Sequence, residues 1–453
     1  MPNRVMIVAS VVVAAALAAM DAQAISLTEA MALAYGSNPT LQAQRAALRA
    51  TDETVSTALG GYRPTVQIAA SGSEAESNSN RTTLANGRTS PRSSSLTFTQ
   101  PLYRGGRTEA GVDQAEANIR AGRATLRNTE QTVLLAAVRA YMDVLRDQAI
   151  VDLNQNNEER LRRQLQATLD RFEVGEVTRT DVAQAQARLS RATSDRIAAQ
   201  GTLLASRGTF LSTVGAPADE LARVPALEGV PDTEDEAIGV GLAENPLIEQ
   251  ATFVERAADR AVRAARGSLF PTVNLSGSVS HSEEANTRGT ETDSQSVTAS
   301  VTIPLYQSGS EYATVRQQKQ TANQRRIEIE LQRRSVRESV TRSWAALSSA
   351  SDRIRSGVDQ VRAAEIALDG VRQEAEVGSR TTLDVLDSEQ ELLDARVALV
   401  RAERDEYVAG FELRAAIGRL SAADLNLPVD RYDPVGNYAA TRNRLIGTGI
   451  RGE

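Results

Sequence analysis

One stretch constrains this chain more than any other, because it occurs twice. Arg171 to Leu189 (RFEVGEVTRTDVAQAQARL) returns as Glu374 to Leu392 (EAEVGSRTTLDVLDSEQEL), with Gly175 answered by Gly378 and Asp181 by Asp384 at a common offset of 203. Each copy joins two long helical patterns through a Val-Gly turn followed by Thr-Asp or Leu-Asp. A glycine just past one helical pattern, with polar capping residues before the next, stops one helix and starts another. The stretch therefore predicts the tip of a helical hairpin, built twice.

The flanking patterns carry the same duplication. Val112, Ile119, Leu126 and Val133 recur every seven residues, as in a coiled-coil seam, and Val315, Ala322, Ile329 and Val336 follow 203 residues later. No proline interrupts 108–172, so a continuous helix there would reach roughly 100 Å. The return helix runs from Asp181 to about Val214 and is closed by Gly215 and Pro217. Small residues beside the seam (Ala115, Gly122, Thr129, Ala136) let helices approach closely. Modest apolar residues on two sides suit a ring in which each helix touches two neighbours. A solid antiparallel coiled coil, as in a scaffold, has the same period.

Before each long helix lie two short helices and a strand hairpin. Ser26 and Glu29 form a capping-box start for a helix to Gly36, Asn38-Pro39 breaks it, and a second helix runs from Leu41 to Leu59. Asn245-Pro246 answers Asn38-Pro39. After Pro64, Val66, Ile68 and Ala70 alternate with Thr65, Gln67 and Ala69; later Leu96 and Phe98 alternate with Ser95, Thr97 and Thr99. In the second copy Val273, Leu275 and Val279 precede Val297, Ala299, Val301 and Ile303, the latter alternating with Ser and Thr. The expected organisation is a leader at 1–24 and a first repeat at 25–217, with β-hairpin 64–101 and helical hairpin 105–214. An acidic linker follows at 218–236, then a second repeat at 237–420 with β-hairpin 271–304 and helical hairpin 309–417. The tail, 421–453, is polar without clear period from about Pro428 and either caps the outside or is disordered.

The leader follows from Arg4, the apolar run Val5 to Ala19 and the Ala22-Gln23-Ala24 cleavage pattern. That run is shorter than the ~20 residues of a spanning helix, and no later segment can span as one. A membrane protein made from this chain has to use strands. Apolar residues alternating with Ser, Thr and Gln fit a strand with lipid on one side and water on the other, although a half-buried soluble sheet alternates too. Four strands cannot close a barrel, since small barrels need about eight, and open edges are not viable in lipid. Several copies must then pool their strands; three would give twelve.

Composition excludes other classes. Net charge is −7, which argues against nucleic acid; there is no cysteine, and His281 is the single histidine. Disulfides, thiolate chemistry and a His-cluster metal site are thereby excluded. No nucleophile–base constellation marks an enzyme, so no catalytic residue and no cofactor is expected. Five methionines make a copper-handling role a poor fit.

The duplicated halves, the tip turns Phe172-Glu173-Val174-Gly175 and Val377-Gly378-Ser379-Arg380-Thr381, and the following Thr382-Leu383-Asp384-Val385-Leu386-Asp387 resemble the TolC family of outer-membrane efflux proteins over nearly the whole mature chain. The resemblance implies a homotrimer with a twelve-stranded outer-membrane β-barrel, a long periplasmic α-helical barrel, and an equatorial region built from the short helices and the tail, 421–453. It also implies a passive exit duct of a tripartite pump or type I secretion system, with an inner-membrane transporter and a periplasmic adaptor (membrane fusion protein) as partners. A coiled-coil adaptor or scaffold without a pore is the alternative.

The candidate gate is the periplasmic entrance. Asp384 and Asp387 lie three apart, on one helix face. Six carboxylates around a narrow opening would attract cations and, by like-charge crowding, raise some of their pKa values. The plainer role for Asp384 is to favour a helix N-terminus, and Asp181 at the equivalent place fits that role; Asp387 is answered by Gln184. The resemblance further implies a closing latch from Arg380 to Asp181. The family's tyrosine partner is Ala375 here, so that part of the latch is missing or replaced, and closure is either weaker or rests on Arg179 or Glu376. Val174, Gly175, Val377 and Gly378 match the adaptor-docking tips, and the two glycines are equally what a turn with positive φ requires.

Overall fold

The computed structural model describes residues 24–77, 87–227, 229–285 and 288–450. The expected leader lies outside them apart from Ala24. In chain order the elements are α1 (Leu27–Ser37), α2 (Pro39–Leu59), a 3-10 turn (Gly60–Tyr62), β1 (Thr65–Gly72), β2 (Ala75–Ser77), β3 (Gly87–Thr89), β4 (Arg92–Arg104), α3 (Arg107–Glu173) and α4 (Arg179–Val214). The second copy supplies α5 (Glu234–Glu244), α6 (Pro246–Gly267), β5 (Thr272–Glu283), β6 (Glu291–Thr302), α7 (Ser310–Glu376) and α8 (Thr382–Ala416), and α9 (Gly436–Thr441) lies in the tail. The long helices α3 and α7 are each 67 residues.

Local chemistry accounts for the matching of the two copies. Ser26 and Glu29 form the predicted capping box of α1. α2 begins two residues before its expected start because proline, lacking an N–H, fits the first helical position. Asn38 and Asn245, each before a proline, are extended with ψ of 123° and 125°, as the proline ring requires. Each turns its side-chain amide onto a distant helix end: Asn38 Nδ2 donates to Thr213 O at 3.0 Å and Asn245 Nδ2 to Ala416 O at 2.7 Å. Thr213 and Ala416 are themselves 203 apart, so the repeat extends to its caps. The linker is shorter than expected, since α5 takes its last three residues.

The chain divides into two compact units. One contains 24–44 together with Arg127–Pro246 and Arg334–Arg431. Its core gathers Leu134, Val138, Tyr141, Phe210, Leu413, Ile417 and Leu420, all fully buried. The Tyr141 hydroxyl lies 2.8 Å from Ile25 O and 2.6 Å from Ala222 O. It thereby pins the start of the described chain beside the linker, where Ile25 and Leu221 form a parallel bridge. Burial pushes this phenol up to about 12.

The other unit contains Arg45–Leu126, Leu247–Arg333 and the tail. Its four-stranded antiparallel sheet has the order β1-β4-β5-β6, and β2 and β3 extend the first hairpin beyond the single pair of strands expected. Val66 pairs with Phe98, Ile68 with Leu96, Leu96 with Val279, and Val273 with Val301, so these apolar side chains share one face. Among the described residues nothing covers it: Ile68 is 78% and Val297 81% exposed. The opposite face is a continuous field of Ser and Thr, joined across strands by Ser71–Ser93 at 2.8 Å and Ser278–Ser296 at 2.9 Å. Gly105 and Gly267 pass so closely where the repeats meet that a Cβ on Gly105 would lie 2.2 Å from Gly267 O; only glycine fits there.

The tail through Arg444 is docked on α2 and α3. Asn437 Nδ2 donates to Asp52 Oδ2 at 2.8 Å, with both residues buried. The Arg45 guanidinium lies 5.2 Å from the Tyr432 ring, and that of Arg123 5.5 Å from the Tyr438 ring. Burial raises the Asp52 pKa, opposed by the Asn437 hydrogen bond and by Arg123. Because its folded pKa is raised, Asp52 favours the docked tail most below the ordinary aspartate range and less as pH rises through the folded value. Asp52→Ala strands the Asn437 amide and is expected to cost ~1–3 kcal/mol of tail docking. Asp52→Asn keeps an acceptor and loses less. Hydrogen exchange of the α9 amides at pH 7 measures both.

Candidate functional site

Each tip is built twice over from the same two devices. At the end of α3, Glu176 N–H donates to Arg171 O at 2.9 Å and Gly175 N–H to Phe172 O at 3.0 Å; at the end of α7, Ser379 N–H donates to Glu374 O at 2.9 Å and Gly378 N–H to Ala375 O at 3.1 Å. This paired closure needs a left-handed residue, and both glycines have φ of 80°. A Cβ at either would meet nothing within 4 Å, so backbone conformation and not crowding selects glycine. The adjacent valines protrude: Val174 is 72% and Val377 80% exposed.

The next helices start with capping boxes. Thr178 N–H donates to Asp181 Oδ2 at 2.8 Å while Asp181 N–H donates to Thr178 Oγ1 at 3.3 Å. Thr381 and Asp384 repeat this at 2.9 and 3.3 Å. The backbone N–H of Thr381, followed by its hydroxyl, holds the Asp384 carboxyl below the usual aspartate range; Thr178 does the same for Asp181. Within one chain these charge-favouring hydrogen bonds, aided by the nearby Arg380, outweigh desolvation, which acts the other way.

The latch expected from Arg380 to Asp181 does not form within the chain. Arg380 Nε donates to Glu374 Oε2 at 2.7 Å, inside its own turn, and Asp181 is committed to Thr178. Proximity decides this, because six residues of turn bring Glu374 to Arg380. Asp387 is paired instead with Arg188 of α4. Around it lie contacts that sequence reasoning did not find. Buried Glu158 of α3 accepts from Arg162 at 2.8 Å and from Arg196 of α4. Glu389, 5% exposed, accepts from Arg372 of α7 at 2.6 Å. Leu161, Ala192 and Leu386 form a small buried cluster flanked by Leu189, tying α3, α4 and α8 together. A helical-face plot would have placed Arg188 and Leu189 on α4, but not which helix they meet.

An exposed apolar sheet face backed by Ser and Thr, and duplicated helical hairpins with exposed tips, define a membrane channel protein made of strands and helices. The sequence matches the family model for outer membrane efflux proteins over residues 8–216 and 238–419. It is 35% identical over 425 residues to the outer membrane efflux protein BepC of Brucella suis, covering 93% of this chain and 91% of that one. It is 27% identical over 366 residues to the alkaline protease secretion protein AprF of Pseudomonas aeruginosa, with 78% and 75% covered. The fold is similar to the Campylobacter jejuni CmeC outer membrane channel, with a TM-score of 0.78 at 14% identity over 92% of this chain and 89% of that one. The chain belongs to the outer membrane efflux protein family and is an efflux or secretion duct of the outer membrane. The adaptor alternative falls away.

The depressed Asp384 value sets a pH expectation. Its capping contribution is complete above the ordinary aspartate pKa of ~3.9 and is lost as pH falls through the lower folded value. Amide protection in the first turn of α8 is therefore expected to hold from pH 7 to about pH 4 and fail below it. Thr381→Val, which removes the hydroxyl, brings the onset to higher pH.

Proposed function

We propose that three copies of this chain form a passive exit duct whose periplasmic entrance is gated at the helical tips. The observation that carries this reading is the sheet: its apolar face is bare, its opposite face is hydroxyl-lined, and β1 and β6 are its outer strands. In hydrocarbon the free N–H and C=O groups of those edges need partners, and a copy of the same chain supplies them, β6 of one against β1 of the next. Twelve strands then close. A second unpartnered surface agrees. Ile197, Leu204 and Leu211 recur every seven residues along α4 and are 57%, 73% and 51% exposed, a seam for a neighbouring helix.

Around the three-fold axis Asp384 and Asp387 would supply six carboxylates at the entrance, selecting for cations. The protruding Val174 and Val377, presented by the Gly175 and Gly378 turns, offer small apolar knobs to a periplasmic adaptor, while an inner-membrane transporter supplies the energy. The cargo follows that transporter: the names of relatives span efflux and protease secretion, and the duct's polar lining serves either.

A heat-modifiable trimer in outer-membrane fractions is the expected product, and a soluble periplasmic monomer would sink the reading. In planar bilayers Asp384→Asn with Asp387→Asn is expected to weaken cation selectivity and divalent block severalfold. Val174→Asp with Val377→Asp should abolish export in cells while leaving the trimer and its conductance intact; undiminished export would remove the adaptor from the tips.

A further inference from the structure

The two gate carboxylates are held in different ways, and the difference implies a switch. Asp384 is bound by Thr381, three residues away on the same helix start. A local bond of this kind persists whatever the neighbouring helices do. Asp387 is bound by Arg188, 199 residues away on α4 of the other hairpin. That bond exists only while α8 lies against α4. The guanidinium of the second tip cannot perform the same service, because Arg380 is engaged by Glu374.

We propose that the Arg188–Asp387 pair is the closing latch of this duct and a charge switch at its entrance. The proposal rests on the gated-duct reading above. With α8 packed on α4, Arg188 neutralises Asp387 and Asp384 alone contributes charge from each chain. When the hairpins part, the pair breaks and Asp387 adds its bare charge to the opening. An open entrance is then more cation-selective than a closed or leaking one.

The surroundings of the pair fit a latch. It adjoins in sequence the cluster of Leu161, Ala192 and Leu386, with Leu189 next to Arg188 and Leu386 next to Asp387. Parting the helices therefore opens a small apolar seam along with the ion pair. The pair is half-open to solvent, with side-chain exposures of 27% and 56%. A bond of that kind is weak and salt-sensitive. Closure that depends on it remains reversible, and three copies acting in concert multiply its effect.

Single-channel recording of the purified full-length protein in planar bilayers tests this. Arg188→Gln and Asp387→Asn are each expected to lower the closed-to-open ratio, by roughly tenfold if all three copies act together. The exchanged pair Arg188→Asp with Asp387→Arg should restore closure, and Arg188→Lys should restore it in part. Cation selectivity separates the two gate residues: Asp384→Asn reduces it in closed and open sublevels alike, Asp387→Asn only in the open one. Wild-type conductance with unchanged gating in Arg188→Gln would overturn the latch and leave the duct standing. So would failure of the exchanged pair to restore closure in a trimer that assembles. A wild-type protein that forms no conducting trimer would instead overturn the duct reading itself.

Discussion

Hydrocarbon offers no partner to a peptide group, and this constraint governs the rest of the molecule. The sheet pairs its inner strands on both sides, β4 with β1 and β5, and β5 with β4 and β6. Its outer strands are left with one side each. A soluble protein would blunt such edges or cover them. Here the apolar face is bare and the other face is a ladder of hydroxyls, so burial against the chain's own helices is not the solution. Pooling of strands among copies satisfies the edges and the face together, and encloses a hydroxyl-lined passage.

Duplication explains how one chain provides two near-equal hairpins for such a ring. The same short signals act twice: a proline-preceding asparagine that caps a distant helix end, a glycine at positive φ, and a Thr-x-x-Asp box. These devices are local, and each is satisfied within a few residues or against the partner element of its own repeat. The copies diverge at the tips. The first carries Thr180, Gln184 and Arg188, and the second Leu383, Asp387 and Glu391 at the same steps. That divergence gives the two hairpins opposite charge where they meet, because a positive residue on α4 faces a negative one on α8.

Charge near the tips is accordingly of two kinds. Carboxylates tied into capping boxes are permanent, depressed in pKa by N–H and O–H donors that belong to their own helix start. Carboxylates tied across helices, such as Asp387 to Arg188 and Glu158 to Arg196, depend on packing. Glu158 and Glu389 show the second kind in its more buried form, where loss of an arginine partner leaves a charge away from water and is costly. The tips thus combine turns fixed by local hydrogen bonds with contacts that depend on how the helices pack.

Much of this was legible in the chain before any coordinates. The repeat offset, the heptad seams, the Val-Gly turns, the alternation of the strands and the capping box of α1 are all short-range patterns, and backbone sterics and periodicity translate them directly into elements. The alternation put Val66, Ile68 and Ala70 of one strand on one face, but it could not give their register or say that this face is bare, since a half-buried soluble sheet alternates too. Other features depended on which surfaces meet. The tail looked featureless because its anchors are single residues, Tyr432, Asn437 and Tyr438, whose partners Arg45, Asp52 and Arg123 lie more than 300 residues away. Arg380 is taken up by Glu374 inside its own turn, and the pairing of Arg188 with Asp387 was invisible, because nothing along a helix says which neighbour an arginine will face. The sequence alone determined the elements, their duplication and the need for partner copies, since those rest on local geometry and on the chemistry of lipid. Only the tertiary structure decided which charges are paired, because that depends on the register between helices far apart in the chain.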